Sequence, residues 1–130
     1  YGPTGKFPPE MPKSVSLPVN GPARAIHLLS GVGGWAFNGS RIDATVSMIV
    51  RVRYADGKTE DHPLENGVHF ADYIRPVDVP QSKLAFKLRG QQIRFLSVFP
   101  KRAEPIERID LVKGPDGTAP IVMGVTIETQ

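Results

Sequence analysis

Thr45–Thr59 reads TVSMIVRVRYADGKT, and the alternation inside it decides the fold. Val46, Met48, Val50, Val52 and Tyr54 fall on one side of an extended chain, while Ser47, Arg51 and Arg53 fall on the other. That two-residue period belongs to a strand with one face in a core and the other in water. Ala55-Asp56-Gly57-Lys58 follows. Its Asp-Gly pair predicts a tight type I′ hairpin, in which both central residues need positive φ.

Working outward, the same period recurs in short runs separated by turn residues. Lys58–Pro63 returns as the partner strand, and Leu64–Tyr73 reads as a turn and a short irregular segment. Ser14–Val19 alternates too, but Pro18 cannot donate to a ladder and consigns that strand to a sheet edge. After the turn Asn20-Gly21-Pro22, Ala23–Leu29 is apolar enough for a buried strand. Lys83–Leu88 is expected to turn Leu84, Phe86 and Leu88 inward. Beyond a turn at Gly90, Gln92–Phe99 groups Ile93, Phe95, Ser97 and Phe99 on one face. Ile106–Val112 is a strand or, on a rival reading, one helical turn, and Lys113–Thr118 is a loop. Ile121–Ile127 closes the chain with Ile121, Met123, Val125 and Ile127 on one face. No stretch holds a helical period over the ten or so residues a helix would need. About eight short strands with turn signals between them predict an all-β fold, an antiparallel β-sandwich or jelly roll. Its expected core is Met48, Val50, Val52, Leu84, Phe86, Ile93, Phe95, Leu111, Met123 and Val125.

The 130 residues suit one domain, with residues 14–130 as the sandwich and residues 1–13 as a linker rich in proline (Pro3, Pro8, Pro9, Pro12). That opening reads as a segment joining the module to a longer protein. A net charge of +3 with scattered Lys and Arg leaves no nucleic-acid footprint. No apolar run approaches the roughly 20 residues of a membrane helix, so no membrane insertion is expected. Cysteine is absent, which removes disulfides, thiolate metal sites and cysteine nucleophiles together.

Several groupings could carry chemistry. Gly31–Gly34 follows a strand but lacks the Walker lysine and the dinucleotide fingerprint, so close packing and positive φ explain the glycines better than phosphate binding. In the loop Ser30–Arg41, Trp35 and Phe37 would either stack on a sugar ring or plug one end of the core. Asp61, His62 and His69, with Asp72, are the nearest approach to a set of metal ligands, and their spacing is looser than a zinc site uses. A structural calcium ion near Asp56, Glu60, Asp61 or Asp116 is the better-suited ion, although no diagnostic loop encloses it. No nucleophile elbow supports Ser-His-Asp chemistry, and the acids sit beside hairpin turns rather than in pairs. The chain is therefore expected not to be an enzyme and to need no cofactor.

Three stretches together, AIHLLSGVGGW (25–35), VRYADGKTEDHPLENGVHFADYI (52–74) and PIVMGVTIE (120–128), resemble galactose-binding-like carbohydrate-binding modules, including the NPCBM type. The shared signals are the tyrosine-aspartate-glycine hairpin at Tyr54–Gly57 and the Leu64–Gly67 turn after it. The resemblance implies a jelly-roll accessory module of a large exported bacterial protein with cytochrome c-like or dehydrogenase-like parts, whether periplasmic, cell-surface or extracellular. It further implies glycan binding by loop residues, here Trp35, Phe37, Asn38, Arg41, His69, Asp72, Tyr73 and Arg75. The alternative is a structural or protein-interaction module that packs against a neighbouring domain of its own chain and binds no sugar. A large exposed apolar patch would favour that alternative.

Overall fold

The computed structural model describes residues 11–34, 39 and 44–129. Those residues form eight strands and no helix: β1 (Ser14–Gly21), β2 (Ala25–Gly33), β3 (Val46–Tyr54), β4 (Thr59–Glu65), β5 (Lys83–Leu88), β6 (Gln91–Val98), β7 (Ile106–Lys113) and β8 (Ala119–Glu128). They make two four-stranded antiparallel sheets, ordered β1-β7-β3-β4 (sheet A) and β5-β6-β2-β8 (sheet B). The sandwich read from the alternation is the fold, and Pro18 sits on edge strand β1 as its missing donor requires.

Between the sheets, Ile26, Leu28 and Val32 of β2 meet Val50, Val52 and Tyr54 of β3, joined by Leu64, Phe70, Leu96, Val98, Ile106 and Ile109. Each such side chain contributes about 1.5–3 kcal/mol when fully withdrawn from water. β3 behaves as its period dictates, with Met48, Val50, Val52 and Tyr54 all buried.

Three details depart from the sequence reading. First, the β3–β4 loop holds three residues rather than two. Tyr54 donates its N–H to Lys58 O and accepts from Gly57 N–H, both at 2.9 Å, and Gly57 alone among Ala55–Gly57 has positive φ, at 84°. This is a type I turn closed by a glycine bulge, and the Asp56 carboxylate caps it by accepting from Lys58 N–H at 3.0 Å. The doubly left-handed turn lies instead at Arg89-Gly90, with φ 50° and 81°.

Second, β6 shows the opposite face from that expected, although Ile93 is still buried, and β5 is exposed throughout. Ile26 pairs with Val98, Leu28 with Leu96 and Ser30 with Arg94, so Gln92, Arg94, Leu96 and Val98 point inward. Phe95 stands opposite Leu29 on the outside. A register shift between Leu84 and Phe86 sets Leu84 opposite Arg94 and Phe86 opposite Ile93, so Leu84, Phe86 and Leu88 do not share a face, and all three are exposed. Of the expected core, Leu84, Phe86, Phe95 and Met123 are therefore surface residues. The reason is that Gln92–Phe99 alternates equally well in either register, and an arginine can occupy the interior when its donors are met. Arg94, 1% exposed, donates from Nε to Ser82 Oγ (2.8 Å), from Nη1 to Val77 O (2.8 Å) and Gln92 Oε1 (3.2 Å), and from Nη2 to Ser82 O (2.8 Å). Burial pushes its pKa down, and Asp78 opposes that.

Third, β8 carries a bulge against β2: Leu29 pairs with Gly124 but Ser30 with Val122. The extra residue is Met123, which is thrown outward, while Val122, Val125 and Ile127 pack on the core. Where edge strands β1 and β8 approach, the sheets leave an apolar groove of about 610 Å³.

Candidate functional site

Of the eight expected ligand-binding residues, Trp35, Phe37, Asn38 and Arg41 lie outside the described residues. The other four sit on the connection between β4 and β5, and the structure gives them different work. His69 is half-buried, and its Nδ1 accepts from the Glu65 N–H at 3.0 Å within its own turn. Burial pushes its pKa down, against the pull of Glu65. Asp72 is buried, and its carboxylate accepts from the Ile74 N–H at 2.9 Å.

Tyr73 is half-buried, and its backbone is wedged between β2 and β6, donating to Val32 O and accepting from Gln92 N–H. Its ring lies on the glycine tract, so close that a Cβ on Gly33 would stand 3.1 Å from Tyr73 Cε1. Close packing thus accounts for that glycine. Arg75 is exposed on the same connection. The backbone therefore brings Asp72 and Tyr73 to the end of β2, with Arg75 nearby in sequence, while His69 is turned into its own loop.

The metal-ligand candidates do not converge. Asp61 and His62 are neighbours in β4, so their side chains leave opposite faces of sheet A. Asp61 accepts from Arg51 through both oxygens (2.7 and 2.8 Å) on the outer face, and that hydrogen-bonded pairing holds its pKa below the usual carboxylate range. His62 faces inward, with Nε2 2.6 Å from Glu60 Oε1 but off the line of a hydrogen bond. Among the described residues no three His, Asp or Glu side chains are grouped to hold a metal ion.

The carboxylates considered for calcium already carry protein donors. Asp56 binds Arg102 at 2.7 Å, which draws its pKa to about 2. Glu60 accepts from the Tyr54 hydroxyl (2.6 Å) and the Lys101 N–H. Burial alone would raise the Glu60 pKa, but Tyr54, Lys101 and His62 together bring it down. The Tyr54 hydroxyl is pushed up to about 12, by burial first and by Glu60 next. Asp116 is the fullest acceptor. Thr45, Ser47 and Thr118 hydroxyls reach it at 2.6–2.8 Å, with the Thr118 N–H and the Lys113 ammonium at 3.1 Å. Burial opposes its ionisation, but those donors outweigh it and hold the pKa near 2. These clusters pin strands together. Away from them, His27 of β2 stands beside a hydroxyl, with Nδ1 2.8 Å from Ser97 Oγ and Nε2 2.9 Å from Glu128 Oε2.

The surface that sequence reading missed is the outer face of sheet B. Leu29, Phe95, Phe86 and Leu88 turn outward across β2, β6 and β5; Phe95 is 38%, Phe86 40% and Leu88 56% exposed, with Phe99 beyond β6 at 63%. His27 stacks on Phe95 at 5.3 Å between ring centroids and also contacts Glu128. Lys83 stands opposite Phe95, and Arg89 follows Leu88 in the β5–β6 turn; neither is in an ion pair among the described residues. No carboxylate occurs in the chain between Asp78 and Glu104. That run without acids was the available signal in the sequence. Over the whole chain, 16 Lys and Arg against 13 Asp and Glu conceal it.

Compared with known proteins, the chain matches no protein-family model, no curated protein and no solved structure. The galactose-binding-like resemblance rests on its sequence motifs.

Proposed function

We propose that this chain is a non-catalytic docking module, an accessory part of a larger exported protein, that binds a protein surface through the outer face of sheet B. One observation carries the reading: an apolar, aromatic sheet face stands open to water, with Lys83 and Arg89 beside its rings and in no ion pair among the described residues. Large rings left exposed together cost solvation free energy and are retained where a partner covers them. Those two cations favour a partner with an apolar patch edged by carboxylates, which would steer the encounter and fix the register.

The test uses the full chain to retrieve binding proteins and then measures affinity with each purified partner. Phe86→Ser with Phe95→Ser should abolish binding. Lys83→Glu with Arg89→Glu should weaken it at least tenfold, and added salt should weaken the parent complex but not that charge-reversed one. Variants that bind as the parent does would refute the reading.

A glycan-binding reading has its own supporting observation, the half-buried Tyr73 ring on the connection that also exposes Arg75. Stacking on Tyr73 with hydrogen bonds from Arg75 would make a shallow sugar site. A glycan array that gives a signal abolished by Tyr73→Ala, and unaffected by Phe86→Ser, would favour it over docking.

A further inference from the structure

We propose that the groove between β1 and β8 is a binding site for a single long-chain carboxylate. One wall is Val15 and Leu17 of β1 with Leu111 of β7; the other is β8 from Pro120 to Val125, with Met48 at the floor. Both flanking strands are sheet edges, so the groove is open along its length. Six residues of β8, five steps of about 3.4 Å, make it about 17 Å long, and its 610 Å³ falls within the range of small-molecule sites. A slot of that shape and lining fits an extended aliphatic chain. Val15 lines it and is 41% exposed, on a strand at the edge of sheet A. Flexible methionines line it as well, and such side chains adapt to an irregular apolar guest.

Charge selects the headgroup. Two lysines and no acid line the groove. Lys113 is already satisfied, its ammonium donating to Gly114 O and Asp116 O at 2.6 Å and to the Asp116 carboxylate. Lys13, exposed at the end where the chain enters β1, has no ion pair among the described residues. One uncompensated cation at one end of an apolar slot complements one anion at the end of one chain. The Lys13 carbonyl is itself fixed by the Lys113 N–H at 2.8 Å, so this end of the groove is anchored to β7. The site is separate from the outer face of sheet B and does not depend on the docking proposal.

Titration calorimetry with the full chain tests it, using laurate, myristate and palmitate below their micelle concentrations, and hexadecanol as the uncharged comparison. Saturable binding of one palmitate is expected, weakening about fourfold for each methylene removed, the equivalent of about 0.8 kcal/mol per buried CH₂. Lys13→Glu, a surface change, should cut palmitate affinity at least tenfold while leaving hexadecanol unchanged. Val15→Trp should fill the slot and abolish both, with the unfolding midpoint preserved as the check on folding. Absence of saturable binding, no dependence on chain length, or an unaltered palmitate affinity in Lys13→Glu would overturn the proposal. So would palmitate binding seen only after removal of Tyr1–Glu10, or a dimer that palmitate leaves intact, since either result would give the groove to another occupant.

Discussion

The two outer faces of this sandwich are built on opposite principles. On sheet A, Arg51 spans Asp61, Arg53 and Arg108 converge on Asp110, and Ser16 donates to that same carboxylate at 2.6 Å. The Asp110 pKa falls below its ordinary value although burial opposes it, because Ser16 and Arg53 hydrogen-bond to the ionised form. On sheet B the corresponding positions carry Leu29, Phe86, Leu88 and Phe95. The first face is finished against water by its own cross-strand pairs. The second is left for something else to finish. Alternation alone reports that a strand has two unlike faces, and it names the inner one only when the other is evidently polar.

The largest expected effect is on the inward side of β3. Tyr54 is fully buried, its hydroxyl bound to Glu60 and its ring under Arg102 at 4.4 Å. Tyr54→Ala should cost about 3–5 kcal/mol in urea unfolding. The inward side of β6 should be nearly as sensitive even though its residue is charged. Arg94→Met fills similar space but strips the donors from Val77 O and Ser82 O, and should cost about 2–3 kcal/mol and loosen the connection into β5.

How much of this was legible follows from those two strands. β3 could be read because Arg51 and Arg53 mark its outer side, so its period had one answer even with Ile49 on that side. In Gln92–Phe99 both answers looked acceptable, and the wrong one placed three phenylalanines of the segment 86–99 where apolar side chains usually belong. What decides the matter is the pocket of carbonyls and hydroxyl that receives Arg94, supplied by Val77 and Ser82 from a connection with no sequence signature. The bulge that expels Met123 was likewise invisible, since one extra residue reverses every side chain beyond it without altering composition. At the candidate site, close packing is the right reason for Gly33, but Gly31 and Gly33 lie in β2 rather than in the expected loop, and the contact that requires Gly33, the Tyr73 ring, joins residues forty apart and leaves no local mark.

A smaller effect, and one set by pH, belongs to Asp116, which ties the start of β3 to the end of β7. Its folded-state pKa near 2 lies below the ordinary 3.8, so its contribution is complete above that ordinary value and is lost as pH falls toward 2. The shift corresponds to about 2 kcal/mol. Asp116→Asn should lose about that much at pH 7 and flatten the fall in urea midpoint between pH 4 and 2. Smaller still, Gly57→Val forces a β-branched residue into left-handed backbone and should cost about 1–2 kcal/mol by the same assay, from strain in the turn that sets β3 against β4.

The most direct test of the contrast between the faces is the equilibrium unfolding of Phe86→Asp with Phe95→Asp. If both rings face water on sheet B, two carboxylates there meet solvent and the nearby Lys83, and the unfolding free energy should change by no more than about 1 kcal/mol. A chain that unfolds, or loses several kcal/mol, would mean that those positions lie in the core, and the open apolar face would not exist.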